Sequence, residues 1–274
     1  MELTDRNVVI TGAGSGIGAA LARRFAAEAP RSLVLADINR QAVVAVAAEL
    51  GAVAVPTDVG REQEIGALVE RAREAGGPVD VFFSNAGIGG PPGGPLEAPD
   101  EEWERTWRIN VMAHVWAARA LLPEMLERGD GYLLSTASAA GVLTQVGAQV
   151  YSVTKHAAVA VAEWLAITYR DAGIKVSCLC PLGVRTPMLE GALEDTVGGA
   201  ALLRDELLEP SDVAETVVEA IRDERFLIFP HPQVAKYMAF KGGDNERWLA
   251  GMRRMVHQAH EADARDSAPE ASGS

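Results

Sequence analysis

The chain has 274 residues, 48% of them apolar, which is enough for one large α/β domain with a substantial core. Its formal net charge of −13 argues against nucleic acid or an anionic membrane as a partner, because either would need a basic patch. No apolar run approaches the roughly 20 residues of a membrane span, and the first residues do not resemble a secretion signal, so we expect a cytoplasmic protein.

Apolar runs typical of buried strands alternate with helical patterns along most of the chain. The predicted strands are Val8–Ile10, Leu33–Ala36, Ala52–Val55, Val79–Phe83, Tyr132–Leu134, Val176–Cys180 and Phe226–Phe229. The predicted helices are Ile17–Ala29, Gln41–Leu50, Glu62–Ala75, Glu101–Glu127, Val150–Ala172 and Ser211–Asp223. This alternation predicts a single α/β domain over residues 1–260, a Rossmann-type doubly wound parallel sheet flanked by helices.

The first predicted strand runs into a glycine-dense turn, VVITGAGSGIG, which is followed by a helix. Glycines in the spacing G-x-x-x-G-x-G allow a tight turn and a close approach of the backbone to a pyrophosphate, and the helix N-terminus then faces the anion. We therefore expect a diphosphate site at Gly12, Ser15, Gly16, Ile17 and Gly18. A plain connection between strand and helix is the alternative.

Asp37 follows the second strand about 20 residues after the last glycine, where a dinucleotide fold places the carboxylate that binds the adenosine ribose. A 2′-phosphate about 4 Å away would be repelled by roughly 4 kcal/mol at an effective dielectric of about 20, or about a thousandfold in affinity. The sequence therefore favours NAD over NADP. Arg40 is the counter-argument, because a cation three residues on could pair with a phosphate.

Polar residues follow several predicted strands directly: Asp37, Asp58, Asn85 and Ser138. The carboxyl ends of parallel strands share the edge of the sheet at which ligands bind, so we expect these side chains to surround one crevice. For each residue alone, a role in a turn or a helix cap is the alternative.

Tyr151 and Lys155 lie four residues apart in a predicted helix, so both project from the same face, and Ser138 precedes Tyr151 at the end of a strand. Taking a proton from an alcohol needs a base, yet the pKa of free tyrosine is about 10. Lowering it to about 7 takes roughly 4 kcal/mol, which the Lys155 ammonium and a positive nicotinamide ring could supply together.

This set of motifs resembles the short-chain dehydrogenase/reductase family over residues 3–190. The matching motifs are the T-G-x-x-x-G-x-G turn at Thr11–Gly18, N-A-G at Asn85–Gly87, and the Ser…Tyr-x-x-x-Lys pattern at Ser138, Tyr151 and Lys155. Asn110, in RINVMAH, matches the fourth catalytic residue of the family, and Asp58, in TDV, matches its adenine contact.

The resemblance implies a role for each of these residues. Tyr151 would be the acid and base, and Lys155 would lower the Tyr151 pKa and bind the nicotinamide ribose. Ser138 would hold the substrate oxygen, and Asn110 would fix a helix backbone and a water through which protons leave. The implied cofactor site comprises Gly12, Ser15, Gly16, Ile17, Gly18, Asp37, Asp58, Val59, Asn85, Ala86, Gly87, Tyr151, Lys155, Pro181, Val184 and Thr186.

One position departs from the family pattern. A P-G turn is usual after the sixth strand, and here Leu182 stands between Pro181 and Gly183. If this position needs a positive φ, leucine would be strained, so we expect the turn to shift onto Gly183. Val184 and Thr186 keep their expected places beside the nicotinamide amide.

The substrate side is less defined by the sequence. Residues 187–210 fit a mobile lid or a plain amphipathic connection. A mostly apolar pocket is expected at Leu143, Gln145, Val146 and Met188, for a medium-sized, weakly polar substrate. Later in the chain, Trp248, Met252 and Met255 form an apolar stripe. We expect this stripe to cover either a pocket or a neighbouring subunit. Residues 261–274 are polar and without periodicity, so we expect them to be disordered.

We expect no metal site, because the histidines form no ligand pattern and the two cysteines, Cys178 and Cys180, have no further cysteine partner. The interpretation is an NAD(H)-dependent oxidoreductase that interconverts a small-molecule secondary alcohol and a ketone. An NADPH-dependent ketoreductase for carrier- or CoA-linked ketones and a non-catalytic dinucleotide sensor are the alternatives. The family also implies a homodimer or homotetramer, through the helical segments Trp103–Leu126 and Val159–Tyr169.

Overall fold

The computed structural model of the protein describes residues 1–193 and 206–266. Its strands are β1 Asn7–Thr11, β2 Ser32–Asp37, β3 Val53–Pro56, β4 Val81–Ser84, β5 Gly131–Thr136, β6 Ile174–Leu179 and β7 Leu227–Ile228. All of them pair in parallel in one sheet, in the order β3-β2-β1-β4-β5-β6-β7. The predicted parallel sheet is confirmed, and each predicted strand is found within two residues of its predicted ends.

The helices cover both faces of the sheet. They are α1 Gly16–Ala26, α2 Arg40–Leu50, α3 Glu62–Gly76, α4 Asp100–Trp107, α5 Ala113–Arg128, α6 Ala140–Leu143, α7 Gln149–Tyr169, α8 Pro187–Leu193, α9 Pro210–Arg222, α10 Gln233–Gly243 and α11 Asn245–Asp266. The helix predicted over Glu101–Glu127 consists of α4 and α5, joined by a π turn at Arg108–Met112. Within the described ranges, none of these helices is both long and apolar enough to cross a membrane.

Successive residues of β1 point to opposite faces of the sheet. Val8 and Ile10 pack in a cluster with residues of α1, α2 and α9, whereas Val9 packs with α3, α5 and α7. Burial on both faces explains why the central strands are apolar throughout rather than alternating. Because the strand order reverses between β1 and β4, the sheet opens a crevice outside their carboxyl ends.

The C-terminal region differs from the sequence prediction. Helix α11 continues to Asp266, so the structure describes residues 261–266 as helix where the sequence predicts a disordered tail. The physical reason is that alanine, glutamate and arginine extend an existing helix without the cost of a new nucleus. Residues 267–274 lie outside the described part of the chain.

The predicted lid over residues 187–210 is described only at its two ends. It begins with α8, and its central part, with Gly198, Gly199, Leu202 and Leu203, lies outside the described residues. Two backbone hydrogen bonds join the flanks: Arg185 N donates to Leu208 O at 3.0 Å, and Leu208 N donates to Gly183 O at 3.2 Å. The segment therefore leaves and returns at the same place beside the crevice.

Helix α5 buries an imidazole two residues after the end of the π turn. His114 is 3% exposed, and neither ring nitrogen makes a hydrogen bond with a residue in the described ranges. Burial and, to a smaller extent, the charge of Lys155 lower the pKa of His114 to about 3, against the opposing influence of the Asn110 backbone. His114 is therefore neutral at pH 7.

The buried His114 should make the fold acid-sensitive. In the unfolded chain the imidazole is protonated below its ordinary pKa of about 6.5, whereas in the folded protein it stays neutral down to about pH 3. Folding stability is then lost as the pH falls through this interval, by up to about 1.4 kcal/mol per pH unit. We expect His114→Gln to remove this contribution, so that its free energy of unfolding changes less between pH 7 and pH 5, to be measured by urea titration at about pH 7, about pH 6 and about pH 5.

The matched control is His257→Gln, since His257 is an exposed histidine. It should keep the pH dependence of the wild type. Parallel pH dependence in the wild type and His114→Gln would contradict the prediction.

Candidate active site

The glycine turn packs closely over the ends of β1 and β4. Gly12 and Gly16 have left-handed backbones, with φ of 67° and 50°. A Cβ on Gly12 would lie 2.8 Å from the Cα of Ala86, and one on Gly18 would lie 2.0 Å from the carbonyl oxygen of Gly12. Side chains are therefore excluded at Gly12 and Gly18, and the N-terminus of α1 is open to the crevice, as a bound diphosphate requires.

Two carboxylates stand along the crevice, each held by backbone donors. Asp37 accepts hydrogen bonds from Gly14 N at 2.9 Å and from Asn39 N at 2.8 Å, one at each oxygen. Asp58 accepts one from Gly60 N at 2.9 Å. The carboxylates are thus oriented by the turns that follow β2 and β3.

Asn85 connects three strand ends through its side chain and backbone. Its backbone N donates to Thr11 Oγ1 at 3.0 Å, and its Nδ2 donates to Thr11 O at 3.0 Å. Its Oδ1 accepts a hydrogen bond from Thr136 Oγ1 at 2.9 Å. The carboxyl ends of β1, β4 and β5 are thereby held at a fixed spacing beneath the crevice.

Asn110 lies behind the crevice wall rather than in it. Fully buried at the π turn, it accepts from Ile88 N and donates to Ile88 O, both at 2.9 Å, and its Nδ2 also donates to Thr154 Oγ1 at 3.2 Å. A Cβ on Gly87 would lie 3.2 Å from both Asn110 Oδ1 and Lys155 Nζ. Asn110 thus positions the loop after β4, and with Lys155 it makes the space beside Gly87 tight for a side chain.

Ser138, Tyr151 and Lys155 meet in the crevice. Lys155 Nζ donates to Thr136 O at 2.9 Å and lies 5.6 Å from the centroid of the Tyr151 ring. Ser138 Oγ accepts a hydrogen bond from Ala140 N at 3.1 Å, which orients the hydroxyl. The three side chains come from the loop after β5 and from one face of α7, as the sequence spacing predicts.

The pKa values of Tyr151 and Lys155 follow from their burial. Burial raises the pKa of Tyr151, and a hydrogen bond with Ser138 opposes the rise. Burial also lowers the pKa of Lys155 to about 8, against the influence of Cys178 and Cys180. In the protein by itself, burial therefore keeps the pKa of Tyr151 above its ordinary value, and its lowering by Lys155 together with the nicotinamide ring stays a prediction.

The segment after β6 also differs from expectation. Neither Leu182 nor Gly183 has a positive φ, so the predicted shift of the turn onto Gly183 is wrong. Leu182 has an ordinary backbone conformation, its backbone N donates to His231 Nδ1 at 3.2 Å, and its side chain packs in a cluster that includes Val234 and Trp248. Such contacts over 49 or more positions leave no local sequence signal.

A single crevice of about 1330 Å³ brings the predicted site together. It is lined by Gly12, Ser15, Gly16, Ile17, Gly18, Asp37, Asp58, Val59, Asn85, Ala86, Gly87, Ser138, Tyr151, Lys155, Pro181, Val184 and Thr186, and on the substrate side by Leu143, Gln145, Val146 and Met188. The sequence analysis left open whether the apolar stripe of Trp248, Met252 and Met255 covers a pocket or a neighbouring subunit. In the structure these residues of α11 line this crevice. The sequence analysis missed further lining residues: Ile38, Ile88, Leu182, Tyr237 and Gly251. Of these, Gly251 continues the helical spacing of the stripe, which was its one available signal.

Comparison with known proteins identifies the family. The family model of short chain dehydrogenases matches residues 6–196. The 1-deoxy-11-beta-hydroxypentalenate dehydrogenase of Streptomyces exfoliatus is 39% identical over 236 residues, which cover 84% of each chain.

Solved structures agree with this match. A short-chain dehydrogenase/reductase from Burkholderia phymatum in complex with NAD is 33% identical, with a TM-score of 0.81 over 90% of this chain and 96% of that one. A short-chain dehydrogenase from Sphingobium yanoikuyae in complex with NADPH is 25% identical, with a TM-score of 0.73 over 97% and 98% of the two chains. These neighbours support a nicotinamide dinucleotide as cofactor. The matched span and the shared fold mean that this chain belongs to the short-chain dehydrogenase/reductase family of oxidoreductases.

Proposed function

We propose that this protein interconverts a secondary alcohol and a ketone by hydride transfer, with NAD(H) as cofactor and Tyr151 as general acid and base. The observation that carries the proposal is that Ser138, Tyr151 and Lys155 line the same crevice as the glycine turn and Asp37. The Streptomyces relative is named as a dehydrogenase of a hydroxylated compound, which supports this reaction class.

The residues of the crevice fit a dinucleotide from end to end. The glycine turn would bind its diphosphate, Asp37 its adenosine ribose, Asp58 and Val59 its adenine, and Val184 and Thr186 its amide. When bound, the cofactor supplies the carbon that accepts or donates hydride. The work of the protein is then to orient the substrate and to move one proton.

Ser138 and Tyr151 would bind the substrate oxygen, and Tyr151 would exchange the proton. Because burial raises the pKa of Tyr151, its hydroxyl is protonated near pH 7, the form that donates a proton during ketone reduction. Alcohol oxidation needs the phenolate, which the Lys155 ammonium and the positive nicotinamide ring would stabilise together. Lys155 would also donate to the nicotinamide ribose.

Removal of the Tyr151 hydroxyl tests the proposed reaction. We expect Tyr151→Phe to bind NADH as the wild type does and to lose turnover by about a thousandfold, because general acid–base catalysis is worth about 10²- to 10⁴-fold. NADH fluorescence measures the binding, and NADH absorbance measures turnover on a panel of secondary alcohols and ketones.

Tyr169→Phe is the matched control, since Tyr169 packs against Trp164 outside the crevice. It should keep full turnover. Activity retained by Tyr151→Phe would refute its role, and a wild type that binds NADH without any turnover would favour the dinucleotide sensor.

The preference for NAD is proposed from the end of β2. Both Asp37 oxygens are held by backbone donors, so the carboxylate is oriented before any ligand binds. The next residue, Ile38, is 73% exposed and lines the crevice, whereas Arg40 does not line it. A 2′-phosphate would therefore meet a fixed negative charge, and the crevice wall beside it is apolar.

A change of charge at Asp37 should reverse the preference. We expect Asp37→Ser to weaken NADH binding and strengthen NADPH binding, moving the ratio of their dissociation constants by about tenfold or more, with fluorescence titration as the measurement. Arg40→Ala is the control and should leave the ratio unchanged. Tighter binding of NADPH than NADH by the wild type would contradict the proposal and favour the NADPH-dependent ketoreductase.

We also propose a homodimer or homotetramer built on α7 and on the end of α4. Their exposed side chains include Trp164, Ile167 and Trp107, which are 58%, 78% and 40% exposed. Apolar groups of this size on two neighbouring helices are typical of a subunit interface.

The assembly is tested by light scattering. We expect twice or four times the mass of one chain for the wild type and a single-chain mass for Ile167→Asp, because a carboxylate cannot be buried without a partner. Val44→Asp, on the exposed face of α2, should leave the mass unchanged. A monomeric wild type would end the proposal.

A further inference from the structure

One face of α11 forms a wall of the crevice. Its residues Trp248, Gly251, Met252 and Met255 follow the spacing i, i+3, i+4 and i+7, so they lie in one stripe, and all four line the crevice. Charged residues of the same helix, Arg253 and Arg254, are exposed. We call the four lining residues the α11 stripe.

The stripe stands close to the proposed reacting centre. Trp248 packs with Ala139 and Leu143, and Ala139 adjoins Ser138. Further apolar side chains line the same crevice: Leu143, Val146, Leu182, Met188 and Leu189. The charged residues that line the crevice, Asp37, Asp58, Arg105 and Lys155, come from other segments.

The α11 stripe and the preceding helix α10 contact the rest of the fold at several points. Lys241 Nζ donates to Val142 O at 2.8 Å, which ties α10 to α6. Phe240 and Trp248 make an edge-to-face contact with ring centroids 6.1 Å apart. Leu182, the residue that departs from the family pattern, packs in the same cluster as Trp248. The indole is thus held in one place, and its surface is available for shape recognition.

Space along the stripe is uneven. A Cβ on Gly251 would meet no atom closer than Arg254 Nη2, at 3.8 Å, so the glycine leaves a recess one turn after the indole. Met252 and Met255 flank this recess with flexible, polarizable side chains. A flat indole, a recess and two adaptable thioethers suit a broad, rigid apolar body, which loses little conformational entropy on binding.

We propose that the α11 stripe determines substrate specificity and that it selects secondary alcohols, or the matching ketones, on an apolar skeleton of two or more fused rings. This inference rests on the proposed function for the identity of the reacting group. The polar part of such a substrate faces Ser138 and Tyr151, and its ring system packs on the stripe.

The test compares two ten-carbon alcohols, the fused-ring decahydro-2-naphthol and the linear 2-decanol, with cyclohexanol as a small reference. We expect the wild type to have the highest kcat/KM for decahydro-2-naphthol. Gly251→Leu fills the recess and should lower this value by about tenfold or more while changing the value for cyclohexanol much less. Gly251→Ala should fall between the two.

Leu249→Ala is the matched control, since Leu249 lies on the same helix, is 47% exposed and does not line the crevice. Leucine is a better helix former than glycine, so Gly251→Leu should fold, and unchanged NADH binding would verify this. Equal losses on all three alcohols, or a wild type that uses 2-decanol as well as the fused-ring alcohol, would overturn the inference.

Direct binding separates this inference from the proposed function. Calorimetry on the NADH complex would measure the affinity for the fused-ring ketone 2-decalone without any turnover. If no alcohol or ketone is turned over, but 2-decalone binds and Gly251→Leu weakens that binding, the proposed function fails and the role of the α11 stripe in specificity stands. If the wild type does not bind 2-decalone, that role is refuted.

Discussion

The hydrogen bonds of Asn85 connect the ends of three neighbouring strands, and the arrangement of the crevice depends on this connection. Asn85 reaches the Thr11 backbone and side chain on one side and the Thr136 hydroxyl on the other. The glycine turn follows the first of these strands, Gly87 follows the second and Ser138 follows the third. A shift of one strand would therefore separate groups that line one crevice, and the parallel register prevents it.

The parts of the site that sequence analysis predicts are those that depend on local patterns. Apolar runs identify the strands, glycine spacing identifies the turn, and a separation of four residues places Tyr151 and Lys155 on one helix face. The order of strands then follows from alternation with helices, and the position of the crevice follows from the order. For these reasons the fold, the glycine turn and the polar side chains that line the crevice were predictable, whereas many of its apolar lining residues were not.

Features that depend on long-range packing were not predictable. The π turn at Asn110 inserts one residue into a helix whose periodicity looks continuous in the sequence. The backbone of Leu182 has an ordinary φ and donates a hydrogen bond to His231, 49 positions away. The pKa of Tyr151 is a balance between burial and a neighbouring hydroxyl, and the sequence contains the groups but not the extent of burial. The same is true of the direction in which the α11 stripe faces.

The location of that stripe also bears on how such a protein can diverge. The side chains of Asn85, Asn110 and Lys155 donate hydrogen bonds to backbone carbonyls of the central strands and of the loops that follow them. Few substitutions at these residues would therefore leave the crevice intact. The α11 stripe makes its contacts through side chains at the margin of the sheet. A lineage can therefore acquire new substrates through changes on one helical face while its redox chemistry is inherited unchanged.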